Sequence, residues 1–140
     1  MPGGGGMDTV RRFIQEVVNQ KMLDVIDEVF AEDVVHHTPQ EDLRGRQAMR
    51  DAEIAFQLAF PDEHVSVDDE IAQDNRVALR WTWRGTHAGT FSGIAASGVV
   101  VTTSGITMFR LDRGRIAEMW EHYDQVGFRR QLIAGNQPKG

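Results

Sequence analysis

The sequence contains no cysteine, which excludes disulfides, thiolate metal sites and a cysteine nucleophile. It also lacks a surplus of positive charge: 15 Lys and Arg stand against 21 Asp and Glu, for a net charge of −6. The basic residues are scattered, with Arg11–Arg12 and Arg129–Arg130 as pairs and no stripe, so no nucleic-acid surface is expected. Long apolar runs are missing as well, and no stretch reads as a bilayer span or a signal peptide. A soluble, cytoplasmic protein with neither nucleic-acid nor membrane partners is the expectation. A P-loop, a dinucleotide fingerprint and a Gly-x-Ser-x-Gly elbow are absent too. Gly85, Gly89, Gly93 and Gly98 do not follow a strand into a helix and read as turn and bulge glycines.

What is present suits one globular domain: 140 residues, 41% hydrophobic and 26% charged. The opening MPGGGG offers nothing to pack, so residues 1–6 read as a flexible tail or cloning remnant. Residues 7–135 form the single domain, and 136–140 a second tail. Val10, Phe13, Ile14, Val17 and Val18 make a helical stripe with Asp8 or Thr9 as N-cap. A shorter helix carries Leu23, Val25, Ile26, Val29 and Phe30, and a short extended segment follows at Val34 and Val35. Residues 46–60 are helical again, with Met49, Ile54, Ala55 and Leu58 apolar, and end before Pro61.

The period then changes to that of strands. Residues 63–73 and 76–87 flank an Asp74-Asn75 turn, with Val77, Leu79, Trp81 and Trp83 facing one way. Residues 98–111 form a long strand in which Gly105 is a candidate bulge. Asp112-Arg113-Gly114 turns the chain into a last strand over 115–124. Three helices followed by an antiparallel meander predict an α+β protein, with helices packed on one face of a curved sheet.

The last strand carries the most chemistry. Simple alternation puts Ile116, Glu118, Trp120, His122 and Asp124 on one face, and Ala117, Met119, Glu121 and Tyr123 on the other. An acid, an imidazole and an indole side by side suit a pocket better than a solvated face. His87 lies on the face of Trp81 and Trp83 and can converge with them beneath the helices. The bland alternative makes the tryptophans core and leaves the polar groups in water at strand ends. His36 and His37 point to opposite faces, so at most one enters a pocket. Glu118 is expected to pair with an arginine such as Arg80 or Arg110. No His-x-x-x-His pair or other closed ligand set is seen, so no metal and no cofactor are expected.

Three stretches carry a resemblance: AFPDEHV, GTHAGTFSGIAASG, and GITMFRLDRGRIAEMWEHYDQVGFRRQL. With them the chain resembles the SnoaL-like polyketide cyclases, often called ester cyclases, over about residues 7–132. That implies the cone-shaped nuclear-transport-factor-2-like fold and a homodimer or higher homo-oligomer. It also implies that Asp124 is a general base, removing a proton alpha to a carbonyl so that the enolate closes a ring by intramolecular aldol attack. The sequence departs from the family at Ala95-Ala96-Ser97 and Ile133-Ala134-Gly135, both in loops.

On this reading a carboxylate among aromatic rings gains proton affinity, and His87 or His122 donates a hydrogen bond to the enolate oxygen. Trp81, Trp83 and Trp120 wall an apolar or aromatic small-molecule substrate, with His37 and Phe91 as further contacts. The rivals are isomerisation or epoxide opening in the same pocket, and a non-catalytic binding module. Arg80-Trp81-Thr82 lacks the aspartate that the epoxide reading needs. The expected dimer face combines Val100, Ile106, Met108, Ala117, Met119 and Tyr123.

Overall fold

The predicted stripe of Val10, Phe13, Ile14, Val17 and Val18 is buried throughout, but the helix carrying it starts earlier than its capping residues suggest. The computed structural model describes residues 4–137. In it α1 spans Gly4–Arg12 and runs directly into a π-helical stretch, Phe13–Asn19. Three of the six residues read as a tail are therefore helical, while residues 1–3 lie outside the described part. A Cβ on Gly6 would lie 3.3 Å from Leu111 Cγ, so this turn already packs on the sheet. Thr9 does not cap the helix start. Its hydroxyl donates to Gly114 O at 2.8 Å, tying α1 to the hairpin beneath.

The second predicted helix is shorter than its apolar spacing implies. A 3₁₀ turn, Leu23–Val25, leads into the single turn α2, Ile26–Val29, and Phe30 is already extended. Strand β1 then covers Phe30–His37, and a short β2, Asp42–Arg44, folds back on it. Helix α3, Arg46–Ala59, stops before Pro61 as expected. Its buried face differs from the expected one, because Ile54 and Leu58 are exposed while Met49, Ala59 and the following Phe60 are buried.

Strands β3 (His64–Gln73), β4 (Arg76–Thr86), β5 (Val100–Asp112) and β6 (Arg115–Tyr123) form the predicted meander. The β5–β6 turn places Arg113 and Gly114 at φ 52° and 77°, the paired left-handed geometry that suits a tight hairpin. Helix α4, Gln125–Gly135, closes the domain and was not anticipated. Of the expected second tail, Asn136 is tied down, its Nδ2 donating to Ala95 O at 2.6 Å, and residues 138–140 lie outside the described part.

The sheet order is β2-β1-β6-β5-β4-β3. All neighbours are antiparallel except β1 and β6, so the sheet is mixed and not purely antiparallel. Helices on one face of a curved sheet give the predicted α+β architecture.

Two backbone details decide where the site lies. Gly105 is not a bulge, since it pairs in continuous register with Trp81. It is a point of close approach: a Cβ there would overlap His122 O and sit 2.7 Å from Trp81 Cζ2. The bulge is at Ala117. Arg110 pairs with Glu118 and Leu111 with Ile116, leaving Ala117 as the extra residue. Ile116 and Ala117 are both buried, and from there the alternation is reversed. Met119, Glu121 and Tyr123 face the helices, while Glu118, Trp120 and His122 face away.

Candidate functional site

Between the helices and the concave side of the sheet lies a cavity of about 420 Å³, a size that suits a small organic ligand. Many rings line it, among them Phe13, Phe56, Trp81, Trp83, Phe91, Tyr123 and Phe128. Trp81 and Trp83 reach it by the period-2 alternation of β4, and Trp81 Nε1 is satisfied by Thr107 Oγ1 at 2.9 Å. Phe91 and Ser92, from the β4–β5 loop, meet Thr38, Gln40 and Glu41, from the β1–β2 loop, at the cavity.

Among the polar groups that line it are His36, Glu53, Glu63 and Glu121. His36 is buried, and its Nε2 lies 3.5 Å from Glu121 Oε1. Neither His36 nitrogen has a hydrogen bond among the described residues. Glu53, on α3, is half-buried as a residue, but its Oε2 is shielded from solvent and has no partner. Burial pushes the Glu53 carboxyl up to about 8, helped by the charges of Glu63 and Glu121. Glu63 is held by Trp83 Nε1, which donates to Oε1 at 3.0 Å. Burial still pushes Glu63 up to about 7, against that bond and the Lys21 charge. Burial likewise raises Tyr123, whose hydroxyl accepts from Gln40 Nε2 at 3.0 Å. Among the described residues no group of three or more His, Asp or Glu is placed to hold a metal ion.

The raised carboxyls have a consequence for stability. A carboxyl with a folded pKa above its unfolded value binds its proton more tightly in the fold, so its stabilisation is complete below the unfolded pKa. From 4.5 that stabilisation drains away as pH rises through about 7 for Glu63 and about 8 for Glu53. Urea midpoints are expected to fall between about pH 5 and pH 8, and Glu53→Gln should flatten the upper part of that slope. An unchanged slope in the variant would show that Glu53 titrates normally.

Of the residues expected to act on or bind the substrate, Trp81, Trp83 and Phe91 line the cavity, and Asp124, His87, His122, Trp120 and His37 do not. Asp124 is exposed and is the N-cap of α4, where its Oδ1 accepts the Gly127 N–H at 2.8 Å. His122 is exposed on the outer face. Trp120 lies on that face too, with Arg76 Cζ 5.3 Å from its ring centroid, and His37 stacks on it at 5.7 Å. All three pocket assignments depended on unbroken alternation through β6, which the Ala117 bulge breaks.

His37 points outward, with Nδ1 2.9 Å from Asp42 Oδ1 and Nε2 2.7 Å from Glu118 Oε2. Those bonds, with Glu118 the larger influence, raise its pKa. One of the two adjacent histidines does enter the cavity, and it is His36. Glu118 pairs with Arg110 at 3.2 Å, as anticipated. His87 is wholly buried beside Phe60, with Nδ1 2.8 Å from Ser97 Oγ, and does not line the cavity.

The sequence reading missed His36, Glu53, Glu63 and Glu121 as cavity groups. Glu53 had a legible signal, since it lies between Met49 and Phe56 at helical spacing, on the stripe that the core uses.

Helices laid over one face of a bent mixed sheet, enclosing an aromatic cavity with an imidazole and glutamates, define a small α+β protein with a ligand-sized acid–base pocket. The sequence model of the SnoaL-like polyketide cyclases matches residues 8–132, and the chain belongs to that family. No curated protein matches it. Among solved structures, a SnoaL-like polyketide cyclase candidate from Jannaschia sp. CCS1 superposes with TM-score 0.86 at 20% identity, covering 97% of this chain and 95% of that one. At that identity it speaks for the fold alone. IdmH from Streptomyces antibioticus, described as a candidate polyketide cyclase, gives TM-score 0.78 at 28% identity over 91% and 98% of the two chains. AclR from Streptomyces galilaeus, described as a candidate hydroxylase, gives 0.80 at 25% over 95% and 97%.

Proposed function

We propose that the protein is a cofactor-independent polyketide cyclase-like enzyme closing a ring by intramolecular aldol condensation of a carbonyl-rich aromatic substrate. The observation that carries this reading is the pair of buried His36 and half-buried Glu121, lining an aromatic cavity with Glu53, whose carboxyl burial pushes up to about 8. The His36 imidazole takes a proton from the carbon alpha to a carbonyl, and the electron pair moves onto the carbonyl oxygen. Glu53, protonated at neutral pH, donates a hydrogen bond to that oxygen as its charge develops. The enolate carbon then attacks a second carbonyl of the same molecule, forming the carbon–carbon bond. The new alkoxide recovers the proton from His36, whose imidazolium is steadied by Glu121. No external oxidant or reductant is needed.

The base is thus placed on His36 and not on Asp124, whose exposed carboxylate is engaged at the start of α4. Proton abstraction can be tested before the natural substrate is known, by following exchange of the alpha protons of an aromatic 1,3-diketone into D₂O by NMR. The protein should accelerate exchange above the buffer rate. Exchange at the buffer rate across a panel of such diketones would count against the reading.

The assembly we propose is a two-fold dimer through the outer face of the sheet. That face exposes Val100, Ile106 and Met108 at 53%, 54% and 42%, beside Trp120, which pairs with Met108. Contiguous exposed apolar surface usually marks an interface, and most such contacts are isologous. Met119 and Tyr123 drop out of the expected dimer face because they point toward the helices, and Ala117 because it is buried at the bulge. Ile106→Lys is expected to give a folded monomer at micromolar concentration in sedimentation velocity. A wild-type chain that is itself a clean monomer would refute the interface.

A further inference from the structure

Glu63 lies in the turn between α3 and β3 and is only 5% exposed. Trp83 Nε1 holds its Oε1, but Oε2 is shielded from solvent and has no partner among the described residues. A buried acceptor without a donor is costly, and a ligand N–H can relieve that cost. Glu63 also lines the cavity, in company with rings. Trp83 packs against Phe56 at 6.1 Å and Phe128 at 5.6 Å between centroids, and all three face the same space. Aromatic faces attract cations, most strongly where water is excluded.

The charge of the whole lining points the same way. Glu41, Glu63 and Glu121 contribute carboxylates to it, Glu53 adds a carboxyl that burial pushes up to about 8, and among the described residues no lysine or arginine lines the cavity. Lys21, the cation whose charge reaches Glu63, is exposed and outside the lining. An anionic ligand would meet the carboxylates of Glu41, Glu63 and Glu121, and among the described lining residues only His36 can carry a positive charge. A neutral one would leave the Glu63 carboxylate with only the charge of Lys21, which lies outside the lining.

We propose that the cavity takes a ligand bearing a basic amine, seated as an ammonium group between Glu63 and the rings of Trp83, Phe56 and Phe128, with an aromatic body filling the remaining space. The inference rests on the cavity being the substrate site, and adds the charge that the substrate carries.

Three probes with one ring system test it by calorimetry: 1-naphthylmethylamine, 1-naphthylmethanol and 1-naphthoate. The titrations are run at about pH 8, above the value of about 7 to which burial pushes Glu63. The amine is expected to bind at least about tenfold more tightly than the alcohol, with the naphthoate weakest. Glu63→Gln keeps an oxygen for Trp83 Nε1 but removes the charge, so the amine should fall to the affinity of the alcohol. A wild-type protein that binds the alcohol as tightly as the amine, or the naphthoate more tightly than either, overturns the amine assignment but leaves the cavity a ligand site. An amine preference that survives in Glu63→Gln overturns the role of Glu63. No binding of any probe would overturn both the amine and the cavity as the substrate site.

Discussion

His36→Gln is expected to lose about 10²–10⁴-fold of proton-exchange and cyclase activity while keeping the fold, the range typical of a lost general base. The side chain is buried at 8% exposure and makes no hydrogen bond that the fold depends on. Glutamine is similarly polar but cannot take up the proton. Glu121→Gln should cost less, because the imidazole remains and loses only the carboxylate at 3.5 Å that steadies its charged form. The contrast is with Asp124. Asn and Asp cap helices about equally well, so Asp124→Asn should keep the Gly127 contact and most of the turnover. Asp124→Ala should cost about 1 kcal/mol of stability with no specific effect on rate. The decisive measurement is the diketone exchange rate of all four variants beside urea unfolding. An Asp124→Asn chain that is folded but inactive, with His36→Gln still active, would return the base to Asp124.

How far the site could be read in advance turns on single residues. The alternation of β4 is unbroken, so Trp81 and Trp83 were legible as cavity walls from Val77, Leu79, Trp81 and Trp83 alone. In and just after β6 the same reasoning put Trp120, His122 and Asp124 in the pocket, and every one of them lies outside it. The cause is one extra residue, Ala117, whose bulge moves the later side chains to the opposite face. Alanine carries no local mark of a bulge. The adjacent buried pair Ile116–Ala117 becomes visible only once β5 and β1 are in place.

The helices show a related limit. Apolar residues on α3 occur on two sides, and burial selects Met49 and Phe56 over Ile54 and Leu58 because the sheet lies on that side. Glu53 comes inward with them. Its proton affinity belongs to the assembled cavity, where Glu63 and Glu121 arrive from other elements. The second helix ended early for a local reason: Phe30 suits strand and helix alike, and its pairing with Ile116 decides for strand, while Val34 and Val35 are extended as expected. The general plan, helices over a bent sheet, needed only periodicity and turn residues and was legible throughout.

Phe60→Ala is expected to be the most destabilising of the substitutions considered, by about 3–5 kcal/mol. Phe60 has no exposed surface and follows the last turn of α3, where its N–H still donates to Phe56 O at 2.7 Å. Its ring centroid lies 4.9 Å from Trp83, 5.4 Å from Phe91, 5.9 Å from Phe128 and 5.6 Å from His87. One side chain therefore joins α3, β4, the β4–β5 loop and α4. Pro61 prevents the helix from continuing, and the backbone around Ala59 is already committed, accepting from the N–H groups of Ala88 and Gly89. The chain cannot readily collapse into the space left by the ring, so the cost should lie toward the upper end of the range. Leu58→Ala is the control: that side chain is 72% exposed, and its loss should change stability by about 0.5 kcal/mol or less. Urea unfolding followed by tryptophan fluorescence measures both. If Phe60→Ala cost no more than Leu58→Ala, the aromatic cluster would not be what holds α3 and α4 against the sheet, and the wall that Trp83 and Phe128 present to the cavity would need another support.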